Sequence, residues 1–346
     1  MIHERKLDSR MTKLLLACVI AMMFFVCSGF KAHAMTVKQT GEGDTSITVG
    51  WDTPYTSTGS VINGFYVGYA EYPEGGNFTT SKANAVAMAD QKKIALPGNA
   101  RSYTINGLKK SARYVVYVAY TITSKYGSQY SGSTYISSAY TKVQKVTNVR
   151  QKKWWYWALH ADAEWDAQPG VKYEVKFMDR KGKVLKYLSA SSATSSTSTS
   201  LPKVKNNKIY KVMVRAFRTR SSYESTLGTS YGAWSDVAYL FTQPMVQSAK
   251  VSGGKLRLKW NKVEGMTSYT VYVSTKEKKG YKKVGTVKGN KTSLTVKKLK
   301  KKRFKSSKKY YVYIVGNMKI NGRTYTSGRH YTNTVQRGTI TTNWTF

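Results

Sequence analysis

The stretch Tyr310-Tyr311-Val312-Tyr313-Ile314-Val315-Gly316 alternates with a period of two, setting Tyr310, Val312, Ile314 and Gly316 in one row. Strict alternation lays one row of side chains on a core and turns the other to water, as a β-strand does. Two earlier versions carry the rows Tyr114, Val116, Val118, Tyr120 and Tyr210, Val212, Val214, Ala216. Their leading tyrosines lie 96 and 100 residues apart. That period is far longer than a solenoid repeat and about the length of one β-sandwich. The expected architecture is all-β, with three sandwiches in series over residues 35–145, 146–245 and 246–346.

Further markers recur in the same order. An apolar alternation ending in tryptophan precedes each tyrosine strand: Ile47, Val49, Trp51; Ala161, Ala163, Trp165; Leu256, Leu258, Trp260. A third alternation follows each tryptophan: Phe65, Val67, Tyr69; Tyr173, Val175, Phe177; Tyr269, Val271, Val273. Each unit then closes on a glycine with Tyr or Ser three places on: Gly132 and Tyr135, Gly232 and Ser235, Gly328 and Tyr331.

With these residues in place, the chain resembles the fibronectin type III family. That family has a Trp on strand B, Tyr-x-Val on strand C, Tyr-x-Val-x-Val on strand F and a Gly-x-Trp-Ser before strand G. The second unit matches the last as Gly232-Ala233-Trp234-Ser235. The resemblance covers nearly all of the chain after residue 35 and implies tandem immunoglobulin-like (fibronectin type III) sandwiches; it implies no ligand. It also places Leu108, six residues before Tyr114, in the turn between strands E and F, where the tyrosine hydroxyl hydrogen-bonds to backbone.

Residues 1–34 read as a signal peptide. Lys13 precedes an apolar run from Leu14 to Phe30, and Ala32-His33-Ala34 gives the small-x-small pattern of a cleavage site. Cleavage there leaves Met35 first and no transmembrane segment; the competing reading is a membrane anchor, since a helix of about 20 residues spans a bilayer. Met11-Thr12-Lys13 is itself an adequate start. Both cysteines, Cys18 and Cys27, lie in this leader, so no disulfide is expected in the mature chain. An exported, cysteine-free tandem sandwich points to a bacterial secreted or surface protein.

Charge is the other outlier. Of the formal +40, +37 falls on residues 35–346, shared as +5, +9 and +23 over the three units. Charge this far from neutral repels itself, which points to an anionic partner or surface. The cations concentrate before Tyr310, in Lys297, Lys298, Lys300, Lys301, Lys302, Arg303, Lys305, Lys308 and Lys309. They make the E to F loop longer than that of the first unit, with either Leu299 or Phe304 in the role of Leu108. Nucleic-acid binding meets the electrostatic requirement. Export argues for a cell-wall polyanion or acidic glycan instead, which the same lysines hold by counterion release.

Other candidates are weaker. Lys152-Lys153-Trp154-Trp155-Tyr156-Trp157 is the densest aromatic cluster; Trp154, Trp155 and Trp157 read either as a platform for sugar rings or as packing at a module junction. His160, Asp162 and Glu164 share one strand face, and carboxylates two residues apart lie about 7 Å from one another, near glycosidase spacing. The bland reading, a solvated sheet face, is preferred because nothing supplies a deep pocket. No phosphate loop, metal motif or cofactor signature is present, so no enzyme is expected. The insert between Tyr69 and Tyr114 reads as a loop or short helix projecting from the sandwich, Ser189 to Ser200 as a flexible connection or weak edge strand, and the segment after Val335 as a disordered tail or an added edge strand. Short linkers near Lys145 and Pro244 favour limited bending.

Overall fold

The structure, a computed structural model, describes residues 35–72 and 78–344. The expected signal peptide lies outside the described residues. Among the described residues no helix is long and apolar enough to cross a membrane. Among the described residues, six sheets come in chain order as three consecutive pairs. By packing, the described residues divide into two compact units: one holds residues 35–39, 48–104 and 114–137, the other residues 40–47, 105–113 and 138–344.

The first pair is built from β1 (Val37–Glu42), β2 (Ile47–Trp51), β3 (Val61–Glu71), helix α1 (Phe78–Gln91), β4 (Ile94–Pro97), β5 (Ser102–Ile105), β6 (Arg113–Thr123) and β7 (Gln129–Tyr140). Its sheets have the orders β1-β2-β5 and β4-β3-β6-β7. Alternation buries Val49 and Trp51 of β2, Phe65 and Val67 of β3, and Val116 and Val118 of β6. The Trp51 and Phe65 rings meet at 5.4 Å, and the Trp51 indole N–H reaches the Ala100 carbonyl at 3.1 Å.

The insert does not project from this sandwich. Helix α1 lies against the sheet, with Ala85 and Ala89 packed on Ala70, Tyr72 and Val115. Residues four apart share a helix face, so the two alanines form one shallow stripe. A Cβ on Gly68 of β3 would sit 1.9 Å from the Ala89 carbonyl oxygen. Small residues on both sides let helix and sheet backbones approach.

The second pair comprises β8 (Arg150–Trp155), β9 (His160–Glu164), β10 (Lys172–Asp179), β11 (Val184–Leu188), β12 (Ser198–Pro202), β13 (Ile209–Thr219), β14 (Thr229–Tyr231) and β15 (Ala238–Phe241). One sheet runs β12-β9-β8; the other runs β11-β10-β13-β14, with β15 also paired to β13. The serine-rich stretch becomes a 3-10 turn at Ala190–Ser192 followed by the edge strand β12. Trp165 meets Tyr173 edge-on at 5.4 Å in the core.

The third pair comprises β16 (Val246–Ser252), β17 (Lys255–Trp260), β18 (Ser268–Ser274), β19 (Lys282–Lys288), β20 (Ser293–Val296), β21 (Tyr310–Ile320), β22 (Arg323–Thr326), β23 (Tyr331–Gln336) and β24 (Thr339–Trp344). Its sheets are β16-β17-β20 and β19-β18-β21-β23-β24, with β22 also on β21. The segment after Val335 is thus an added edge strand, β24, paired with β23 from Tyr331↔Trp344 to Gln336↔Thr339. Asn321 and Gly322 both have positive φ and close the β21–β22 hairpin, the type I′ geometry that Asn-Gly favours.

The three tyrosine strands are β6, β13 and β21. Buried Leu108, Val204 and Phe304 lie six residues before their leading tyrosines. The backbone N–H groups of these three residues donate to Thr45, Leu159 and Gly254 carbonyls at 2.9, 2.9 and 3.0 Å. Phe304, not Leu299, therefore takes the part of Leu108, and its ring meets Tyr310 at 4.9 Å. The Tyr210 hydroxyl accepts from the Lys205 N–H at 2.7 Å, and that of Tyr310 from the Lys305 N–H at 2.9 Å.

Within the second compact unit, Ile209 and Phe241 belong to the same apolar cluster as Val246, Val263 and Met266. Gln243 is buried there; its amide spans the Tyr331 carbonyl at 3.0 Å and the His330 N–H at 2.6 Å. The Glu264 carboxylate takes Arg180 at 3.3 Å and Lys208 at 3.7 Å. Shared core and buried hydrogen bonds make this linker a packed junction, in keeping with its shortness.

Candidate functional site

The basic loop before β21 is pinned at two points. Leu299 and Phe304 are buried, while Lys297, Lys298, Lys300, Lys301, Lys302, Arg303, Lys305, Lys308 and Lys309 are all exposed. Leu299 and Lys302 exchange both backbone hydrogen bonds, at 2.9 and 3.0 Å, and between them Lys300 and Lys301 take φ of +48° and +66°. This is a two-residue hairpin whose central positions both require left-handed backbone, for which Asn-Gly or Gly-Gly is the low-cost choice. Lysines stand there instead, against a steric penalty of about 1–2 kcal/mol per residue. Residues 246–346 contain two carboxylates, Glu264 and Glu277. Glu264 is taken by Arg180 and Lys208, and Glu277 accepts from the Asn343 amide at 3.1 Å. Among the described residues, none of the nine cations is paired with an acid.

A second set of cations borders this loop and escaped the sequence reading. β17 alternates buried Leu256, Leu258 and Trp260 with exposed Lys255, Arg257 and Lys259. Register sets Lys250 of β16 directly opposite Arg257, with Thr295 of β20 on its other side. The Leu256, Leu258, Trp260 alternation already implies this outward row.

The tryptophan cluster does not form one platform. A register shift between Gln151 and Lys153 turns Trp154 inward, where it is 4% exposed and its indole N–H donates to the Asn206 side chain at 3.0 Å. Trp155 lies on the other face, its N–H on Asp162 at 2.6 Å and Lys153 Nζ 3.7 Å above its ring. Trp157, in the turn after β8, is 75% exposed and meets Tyr156 edge-on. Of the two readings of this cluster, Trp154 is packed in the core, Trp155 is half-buried beneath Lys153, and Trp157 is exposed, so the three rings share no single face.

The carboxylates on β9 are structural. Asp162 accepts from the Trp155 indole and from the Ser200 hydroxyl, each at 2.6 Å, and Glu164 pairs with Arg150 at 2.9 Å. Among the described residues no group of three or more His, Cys, Asp or Glu is placed to hold a metal ion. Trp234, the tryptophan of Gly232-x-Trp-Ser, is likewise engaged: Lys176 lies 4.4 Å and Arg215 4.8 Å from its ring centre. Arg215 in turn donates to the buried Glu174 carboxylate at 2.8 Å.

With this geometry in hand, comparison gives a class. Residues 33–137 match the family profile of the fibronectin type III domain, within an all-β series of immunoglobulin-like sandwiches. Among solved structures it is similar to the FN1–FN3 domains of chicken CNTN1, at 14% identity over 88% of this chain and 97% of that one, with a TM-score of 0.27. It is also similar to a two-domain fibronectin type III segment of chicken tenascin, at 15% identity over 60% and 97% of the two chains, TM-score 0.30. No curated protein matches the chain.

Proposed function

We propose that this chain is a non-catalytic binding and spacing protein of a bacterial cell envelope, exported by its leader and held to polyanionic wall polymer or acidic glycan by its third sandwich. The observation that carries the reading is the loop before β21, where nine exposed cations face no acid and two occupy left-handed backbone. Lysine is a point-charge binder of phosphate with little built-in selectivity, so the loop suits a repeating anion better than a single small ligand.

The test is retention on purified cell walls. The protein is expected to bind at low ionic strength and to elute below about 0.5 M salt, where screening confines such contacts to a few ångströms. Exchange of Lys300, Lys301, Lys302 and Arg303 for Gln leaves the strands untouched and is expected to weaken retention. Retention that ignores both the exchange and the salt would defeat the reading and favour sugar stacking on Trp157, the most exposed ring of its cluster.

A further inference from the structure

The outward face of the β16-β17-β20 sheet is cationic, and the same face differs in the other sandwiches. Counting back from the tryptophan at the end of β2 and β17 and just after β9, the outward positions hold Gly50 and Thr48 on β2, Glu164, Asp162 and His160 on β9, and Lys259, Arg257 and Lys255 on β17. Neighbouring outward side chains on a strand stand about 6.8 Å apart. Lys250 of β16 faces Arg257 of β17, and Ser248 and Ser293 face Lys259 from the two flanking strands. Like charges directly opposite one another destabilise a sheet, so the bare row is under a repulsion that an anion relieves.

The row does not stop at the end of β17. At its Lys255 end, Gly253 and Gly254 turn the chain from β16 into β17, and Phe304 of the basic loop donates its backbone N–H to the Gly254 carbonyl at 3.0 Å. The Arg303 side chain passes 3.2 Å from where a Cβ on Gly254 would stand. Lys259, Arg257, Lys255 and Arg303 thus lead in one line towards the Lys300–Lys301 hairpin.

We propose that this line is the seat of an extended phosphodiester polymer with one phosphate per repeat, lying along β17 from Lys259 to the lysine hairpin. The inference rests on the polyanion reading above and adds its seat and the class of polymer. Single cations at an even spacing match single charges along a linear chain, whereas a sulfated glycan groups its charges on rings. The hydroxyls of Thr295, Ser248 and Ser293 beside the row are donors for non-bridging phosphate oxygens. The face carries no aromatic side chain among its outward residues, so a single-stranded nucleic acid lacks the stacking platform it ordinarily uses.

The experiment is fluorescence anisotropy of the full chain with labelled poly(glycerol phosphate), heparin and a single-stranded oligodeoxynucleotide, over a salt series. Joint exchange of Lys255, Arg257 and Lys259 for Gln leaves Leu256, Leu258 and Trp260 in the core. It is expected to lower poly(glycerol phosphate) affinity on the order of 100-fold near about 0.1 M salt, and to reduce the logarithmic salt slope by about 2–3. Charge-conserving Lys255→Arg, Arg257→Lys and Lys259→Arg together restore binding, which separates charge from folding. If the loop exchange at Lys300–Arg303 weakens binding while the β17 exchange does not, the seat is wrong and the polyanion reading stands. If the unaltered chain binds none of the three polymers, the polyanion reading itself falls. Equal or tighter binding of heparin or the oligonucleotide, with the same loss in the β17 variant, would overturn the assignment to a phosphodiester chain.

Discussion

A single hydroxyl ties down the loop before β13 and again before β21. Tyr210 and Tyr310 are buried, and their phenol oxygens each accept one backbone N–H of the loop, from Lys205 and Lys305. Removing the acceptor leaves a desolvated donor, so Tyr210→Phe and Tyr310→Phe are each expected to cost about 1 kcal/mol or somewhat more in chemical denaturation. An unchanged unfolding midpoint in both would show that the N–H groups find water. His330 gives a second prediction at this scale. Burial is the main cause of its pKa being held below 6.5, with a smaller contribution from the Lys153 charge; a backbone hydrogen bond to Ser327 acts in the opposite sense. Because the folded state prefers the neutral ring, the unfolded chain takes up the proton first as pH falls. Stability is therefore complete above pH 6.5 and declines as pH drops through it. Melting temperature is expected to fall more steeply from about pH 7 to about pH 5 in the parent than in His330→Gln, which has no charge to gain. Parallel profiles would show that the imidazole is not the group responsible. Arg218 shows a buried cation handled differently: it is 2% exposed, donates to the Thr141, Pro169 and Gly170 carbonyls, and lies 3.9 Å from the Tyr140 ring centre. Burial lowers its pKa to about 10, so it stays charged at neutral pH.

At the scale of elements, the hairpin Leu299–Lys302 sets stability against charge. Replacing Lys300 by Asn and Lys301 by Gly supplies the residues that the left-handed positions favour, and is expected to raise stability by about 1–2 kcal/mol. The same pair of changes removes two cations from the head of the basic row and is expected to weaken polymer binding. A variant both more stable and weaker in binding shows that strain is retained for the lysines; one that is no more stable shows that the turn relaxes when free. This trade was only half legible in sequence. The run of lysines was plain, but nothing local announced that Leu299 and Lys302 would pair and force two lysines into left-handed backbone. The tyrosine and tryptophan strands were legible because both sheets of a sandwich bury every second residue. Helix α1 was legible only as one of two readings, and its packing on the sheet not at all: Ala85 and Ala89, which meet Ala70, Tyr72 and Val115, are too small to raise the apolar periodicity that announces a helix. For the tryptophan cluster the sequence left both readings open, because a run of adjacent aromatic residues does not say which face is the core; the register shift between Gln151 and Lys153 sets which of Trp154 and Trp155 turns inward.

At the scale of the whole molecule, the quantity left over by folding is charge. Residues 35–346 carry +37 and residues 246–346 alone +23, while the cross-strand pair Lys250 and Arg257 places two cations face to face. A compact state that gathers charge is penalised relative to the expanded chain. The penalty falls as the screening length shrinks from about 10 Å at 0.1 M to about 3 Å at 1 M salt. Sodium chloride is therefore expected to raise the melting temperature of the full chain over this range. The rise should be smaller in the chain with Lys255, Arg257 and Lys259 exchanged for Gln, because fewer like charges remain to be screened. Exposed ion pairs such as Lys145 with Asp236 and Arg180 with Glu264 act in the opposite direction, since screening weakens them. Each is worth no more than about 1 kcal/mol, whereas the excess of cations is present throughout the third sandwich. A melting temperature that falls with salt would mean that these pairs outweigh the repulsion. The basic row would then be a solvated face at ease with itself rather than a surface awaiting its counterion.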